Sequence, residues 1–154
     1  MSTKKHLYLI AHNIRSLYNV GSMFRTSDAF SVERIYLCGY TGFPPRKEIS
    51  KTALGAEKEI PWETCPDALE LIKELKKQGV KIATLELTSK AKSLDKIKPS
   101  FPLALVVGNE IDGVDPKIIK QADFEIMIPM QGTKESLNVA VATGISLYQL
   151  NNLR

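Results

Sequence analysis

Three stretches of this chain place polar and charged side chains where apolar runs break: "NVGSMFR" (Asn19–Arg25), "GNEIDGV" (Gly108–Val114) and "IPMQGTKESLN" (Ile128–Asn138). Arg25 brings a planar cation with several donors. Glu110 brings a carboxylate, Asn19 and Asn138 bring amides that both donate and accept, and Ser136 brings a hydroxyl. Such a set could hold a negatively charged ligand. Each residue also has a plainer use. Arg25 could pair with Asp28 three residues on, for at most ~0.5 kcal/mol. "GNEIDGV" could be a turn, and Thr133 or Ser136 could simply cap a helix. Capping leaves Asn138 over, inside a first turn where asparagine is a mediocre helix former. Metal binding by "GNEIDGV" fails on the spacing of its acids. A phosphate loop fails because no Gly-Lys-Ser/Thr follows.

The elements that must carry these groups are read from periodicity. Strands are expected at His6–Ala11, Glu33–Gly39, Val80–Leu87, Leu103–Gly108 and Phe124–Met130. Helices are expected at Val20–Phe30 with Asn19 as cap, at Cys65–Gly79, at Pro116–Ala122 and at Ser136–Leu150. Tyr40–Glu59 reads as a long loop with a short helix near Ser50. Strands alternating with helices predict an α/β fold, a mainly parallel sheet flanked by helices. In such sheets ligands bind beyond the carboxyl ends of the strands. That directs attention to Leu85, Gly108 and Ile128, each at or just past a strand end. On α-helical spacing Met23, Phe24, Ser27 and Phe30 share a core face, with Arg25 about 200° from Met23. Arg25 then stands among Gly21, Ser22, Asp28 and Ala29, small enough for another backbone to approach.

Bulk properties bound the rest. The 154 residues suit one domain and carry 21 Lys and Arg against 17 Asp and Glu, a net charge of +4. That mild excess favours a polyanionic partner only weakly. Lysines crowd residues 73–98, where solvated helix faces explain many of them. The arginines near the three stretches are the better candidates for phosphate contacts. Cys38 and Cys65 are far apart and read as buried free thiols. His6 and His12 form no metal pattern, so no metal is expected. No apolar run approaches the ~20 residues of a membrane span, and Met1–Lys5 runs into the first strand without a leader-like segment. No membrane partner and a cytoplasmic setting are therefore expected. No GxGxxG follows any strand, which argues against a nucleotide-dependent oxidoreductase.

Taken in order, "NVGSMFR", "LALVVGNEIDGV" and "IMIPMQGTKESLNVAVATGI" closely resemble the three motifs of the SpoU (TrmH-like) family of RNA ribose 2′-O-methyltransferases, within the SPOUT superfamily. The resemblance covers nearly the whole chain. It implies a deep C-terminal trefoil knot, which general topology rules disfavour and periodicity cannot reveal. It implies S-adenosylmethionine as methyl donor, structured RNA as substrate with tRNA before rRNA, and a homodimer. It implies catalytic roles for Arg25, Asn19, Glu110, Ser136 and Asn138. It implies cofactor contacts at Gly108, Ile128 and Leu137. Met130 joins them as an apolar neighbour, and Leu85 from its place at a strand end. Ala140 departs from the serine common at that position. Motif one begins at residue 19, so a single catalytic domain over 1–154 is expected, without an accessory RNA-binding domain. A non-catalytic RNA-binding protein on the same fold is the rival reading.

Overall fold

The computed structural model describes residues 5–154, so the basic start, Met1–Lys4, lies outside the described residues. Seven strands form one sheet: β1 Leu7–His12, β2 Arg34–Cys38, β3 Trp62–Cys65, β4 Lys81–Leu85, β5 Lys92–Ser93, β6 Leu103–Val107 and β7 Phe124–Met127. Five α-helices join them: α1 Leu17–Ala29, α2 Lys47–Ala53, α3 Ala68–Lys77, α4 Pro116–Gln121 and α5 Val139–Leu153. The strand order is β3-β2-β1-β6-β4-β7-β5, and every pairing is parallel. All carboxyl ends therefore emerge on one edge, as the α/β reading expects.

The central strands are buried on both faces, and their side chains divide with the two-residue period of a strand. Leu7, Leu9 and Ala11 of β1, with Leu103, Leu105 and Val107 of β6, pack with Val20, Met23, Phe24, Ile49 and Leu147 from α1, α2 and α5. Ile10, Ala104 and Val106 turn the other way, to Ala68, Ile72 and Leu75 of α3 and Ile118 of α4. The sheet is thus the middle of three layers. Gly21 of α1 is where another backbone does come close. A Cβ there would run into Thr52 and the Ile49 carbonyl of α2.

Several boundaries differ from the sequence reading. Asn19 is not the cap of α1. Ser16 is, its hydroxyl accepting from the Asn19 N–H at 3.2 Å, and the helix begins at Leu17. Helix α3 starts at Ala68, capped by Asp67, because Trp62–Cys65 is a short edge strand against β2. Cys65 is consequently half-buried, whereas Cys38 is buried and its thiol is pushed far up by desolvation. Strand β7 ends at Met127, and α5 begins only at Val139. Between them eleven positions are irregular. The short helix near Ser50 is α2. Four of the crowded lysines, Lys81, Lys92, Lys96 and Lys98, stand around a cavity of about 600 Å³ that Ile97 and Phe124 also line. Among the described residues no helix is long and apolar enough to cross a membrane.

Candidate active site

Three neighbouring strands, β6, β4 and β7, send their carboxyl-terminal loops to one place. They enclose a cavity of about 530 Å³. Leu85, Gly108, Ile128, Met130 and Leu137, the five positions expected to touch a cofactor, all line it. Glu110, Ser136 and Asn138 line it too. Asn19 and Arg25 do not. The sequence reading missed Glu86, whose carboxylate accepts from the Val114 N–H at 2.8 Å and the Leu87 N–H at 3.1 Å. A carboxylate one residue past a strand end was the available signal.

Gly108 is required by the close packing of its own loop. A Cβ there would strike the Gly113 backbone, which folds back on Asn109 in a reciprocal pair of hydrogen bonds of 3.1 and 2.9 Å. The close approach is made by the chain itself. Asn109 holds this loop from inside, its Oδ1 accepting from the Ile111 and Asp112 N–H groups at 2.8 Å each.

Strand β1 lies beside β6, so the turn after β1 lies beside the Glu110 loop. Glu110 reaches across that gap. Its Oε1 accepts from the Arg15 N–H at 2.8 Å, and its Oε2 accepts from the Ser16 N–H at 2.8 Å and Asn19 Nδ2 at 3.0 Å. Partial burial raises its pKa. The three donors more than offset this, and the carboxyl ends below the ordinary glutamate range. Glu110 is therefore an anchored carboxylate.

Asn19 passes the connection on. Its Oδ1 accepts from Asn138 Nδ2 at 3.4 Å. Asn138 is the N-cap of α5, its own Oδ1 accepting from the Ala140 N–H at 2.8 Å and the Val141 N–H at 3.2 Å. This corrects the placement of Asn138 inside a first turn. The cap accounts for one end of the amide, and the other end joins Asn19. One residue from each stretch, Glu110, Asn19 and Asn138, forms a continuous chain of hydrogen bonds. Ser136 is exposed on the rim with no hydrogen bond of its own among the described residues. Gly132 has open space around it, so its lack of a side chain serves no contact.

Helices α1 and α5 then run side by side in the same direction. Asn19 meets Asn138, Thr26 comes within 3.3 Å of where a Cβ on Gly144 would stand, and Phe30 meets Tyr148 edge-on at 5.6 Å. The partners keep a nearly constant offset along both chains. With about 100° per residue, Tyr18 and Arg25 of α1 face the same side of this pair as Val141 and Ile145 of α5. That side is open: these apolar residues are 49%, 50% and 41% exposed for Tyr18, Val141 and Ile145. Helix α5 is thus buried only along Thr143, Ser146, Leu147 and Leu150. Arg25 is exposed and makes no hydrogen bond or ion pair among the described residues, so it does not pair with Asp28. Among the described residues no three His, Cys, Asp or Glu side chains gather to hold a metal.

Comparison with known proteins agrees with this geometry. The chain is 34% identical over 152 residues to the tRNA (guanosine(18)-2'-O)-methyltransferase of Aquifex aeolicus, covering 98% of this chain and 71% of the relative. It is 35% identical over 134 residues to the 23S rRNA (guanosine(2553)-2'-O)-methyltransferase RlmP of Bacillus subtilis, covering 86% of this chain and 52% of that one. Among solved structures, an AdoMet-bound rRNA methyltransferase from Sinorhizobium meliloti superposes with a TM-score of 0.91 at 28% identity, covering 97% of this chain and 57% of that one. The chain spans little more than half the length of the last two. The SpoU rRNA Methylase family matches residues 6–148. With its three motif stretches meeting at one cavity, the chain belongs to the SpoU family of methyltransferases, whose methyl donor is S-adenosylmethionine.

Proposed function

We propose that this chain transfers a methyl group from S-adenosylmethionine to a ribose 2′-hydroxyl of structured RNA, with tRNA as the first candidate and rRNA as the second. The observation that carries the reading is the hydrogen-bonded chain Glu110–Asn19–Asn138 at the mouth of the cavity. The tRNA preference rests on the relative from A. aeolicus, which shares most of its length with this chain.

The cavity suits the methyl donor. Its 530 Å³ falls within the ~300–1,000 Å³ of small-molecule sites. Leu85, Leu87, Ile128, Met130 and Leu137 supply apolar walls, and Glu86, Asp112 and Glu135 supply negative charge for a cationic ligand. Gly108, Ile128 and Leu137 would offer main-chain groups. When bound, S-adenosylmethionine supplies an electrophilic methyl carbon on sulfur.

The chain's own residues have to bring the 2′-oxygen into line and help it lose its proton. Alignment of this kind is worth up to about 7–11 kcal/mol. Glu110 is a poor proton acceptor, because three N–H donors take up most of its lone pairs and hold its carboxyl below the ordinary glutamate range; it positions the turn at Arg15–Asn19. Ser136 and Asn138 stand at the start of α5, where the helix dipole favours a phosphate. Arg25 carries a guanidinium, a donor group with no acceptor site. Its task is to lower the hydroxyl pKa by its charge and to hold the neighbouring phosphate, the proton leaving to that phosphate or to water.

Arg25 does not line the cavity, and it shares an open apolar face with Tyr18, Val141 and Ile145. A second copy of the chain packed on that face would make the homodimer and place Arg25 at the boundary between sites. We also place a deep trefoil knot in the C-terminal part. In support, α5, the last element, touches both α1 and the turn Leu94–Lys96 that precedes it. Stretching the chain by its ends should stop short of full extension, about 3.3–3.6 Å per residue; full extension rules the knot out. RNA as substrate fits a cytoplasmic setting.

The test of the reaction is mass mapping of 2′-O-methyl nucleotides in tRNA and rRNA from cells with and without the gene. Loss of one tRNA methyl is expected. Loss of one rRNA methyl instead moves the substrate to the ribosome, and no loss in either pool defeats the proposal.

A further inference from the structure

Tyr40, just past β2, is an exposed ring that the fold holds unusually firmly. It is 60% exposed. A tyrosine so open has nothing to pack on and is ordinarily free to turn. Here its backbone N–H donates to Asn13 Oδ1 at 3.1 Å, and its hydroxyl accepts from Asn109 Nδ2 at 2.7 Å. Its neighbours are fixed as well. Thr41 is buried, its hydroxyl donating to the Ala11 carbonyl at 3.1 Å and accepting from the Ile14 N–H at 3.0 Å.

Asn109 shows how far the fold goes to hold that ring. It is 9% exposed and its amide is saturated. Its second donor goes to the Asn13 carbonyl at 2.9 Å, and its oxygen holds the two N–H groups of its own loop. Nothing remains on that amide for a ligand. Its bond to Tyr40 fixes the ring instead, directly beside the cavity that Asn109 and Glu110 line. The Tyr40 hydroxyl accepts this bond and makes none as a donor among the described residues, so its proton is available outward.

We propose that Tyr40 is a base-stacking residue for the substrate RNA, receiving the base of the target nucleotide or its immediate neighbour. The inference rests on the reading of the substrate as RNA. Sequence-specific recognition of folded RNA mostly targets loop and bulge nucleotides, whose bases are splayed out of the stack. An aromatic face supplied in the right place restores what is lost, and it does so for any base. The outward hydroxyl proton adds a donor for a base acceptor. Downstream, Arg46, Lys47 and Lys51 are exposed and can meet the flanking phosphates.

The test uses wild-type enzyme, Tyr40→Ala and Tyr40→Phe, with radiolabelled S-adenosylmethionine. The acceptors are the tRNA and rRNA fractions from cells lacking the gene. Tyr40→Ala should raise KM for RNA by about five- to a hundredfold. Its calorimetric Kd for S-adenosylmethionine should stay within twofold of wild type. Tyr40→Phe keeps the ring and should recover most of the lost affinity. An unchanged KM in Tyr40→Ala overturns the proposal. So does a cofactor Kd that weakens in step with KM, which would mark Tyr40 as a brace for the Asn109 loop. A Tyr40→Phe as weak as Tyr40→Ala also overturns stacking. Wild-type enzyme that methylates neither fraction defeats the RNA reading itself, and it does so before any variant is made.

Discussion

Glu110 is the residue whose role changes most between chain and fold. As one acid in "GNEIDGV" it could have been a base, a metal ligand or a turn residue. Its partners at Arg15 and Ser16 lie 95 and 94 positions away, so no local pattern announces them. Removing the charge tests the anchor. Glu110→Gln should lower stability by about 1–2 kcal/mol, since hydrogen bonds to charged groups are the stronger kind. The pH dependence has a definite sign. The folded carboxyl is held below its unfolded value, so its contribution is complete above about pH 4.3. It fades as pH falls through the folded value. The gap between wild type and Glu110→Gln in denaturant titrations should therefore be constant at neutral pH and shrink in acid. A gap that is the same at every pH contradicts an ionised anchor. Arg25 is tested by Arg25→Lys, which keeps the charge and loses the planar fork. Turnover should fall at least about tenfold with cofactor affinity unchanged; near-normal turnover means charge alone suffices.

Among the elements, Asn138 separates a structural from a chemical contribution. Asn138→Ala removes the cap of α5, costing about 0.5–2 kcal/mol. In a chain of this size that lowers Tm by roughly 2–4 °C per kcal/mol. Asn138→Asp keeps an oxygen for Ala140 and Val141 but cannot donate to Asn19. It should melt close to wild type and lose most methyl transfer; full activity in that variant would show that the Asn19 link is dispensable. The elements themselves were largely legible. Strands β1, β2, β4 and β7 and the amphipathic α3 follow from period-two and period-3.6 patterns, and the buried run Leu103–Val107 of β6 marks a central strand. What escaped were β3 and β5, the two edge strands of the sheet: β5 has only two residues, and no residue of β3 is fully buried, so neither shows an apolar alternation. The starts of α1 and α5 were misread for a related reason. Ser16, Asn19, Ser136 and Asn138 are all good capping types, and only the long-range contacts decide which one caps. That Leu85, Gly108, Ile128, Met130 and Leu137 line one cavity was legible in part because strand ends of a parallel sheet converge by topology, and in part because the motif resemblance points to Gly108, Ile128 and Leu137. Tyr40 was not, because its meaning comes from Asn13 and Asn109, far away in sequence.

At the scale of the whole molecule, one face is unfinished. Tyr18, Val141 and Ile145 expose apolar surface beside Arg25, on helices whose opposite sides are packed. If a second copy completes that face, Ile145→Glu should convert a dimer to a monomer in sedimentation while the circular dichroism stays native. A wild type that sediments as a monomer at micromolar concentration removes the dimer. A sharper experiment asks which chain each arginine serves. Arg25→Ala and Asn138→Asp are each expected to be inactive as homodimers, since every site lacks one group. Mixed and allowed to exchange, they form heterodimers of closed two-fold type. If Arg25 acts across the interface, the Arg25→Ala chain's intact cavity receives the arginine of the other chain. One site in each heterodimer then works. Random exchange makes about half the population heterodimeric, so about a quarter of wild-type activity should return. If Arg25 serves the cavity of its own chain, no combination contains a complete site, and mixing restores nothing.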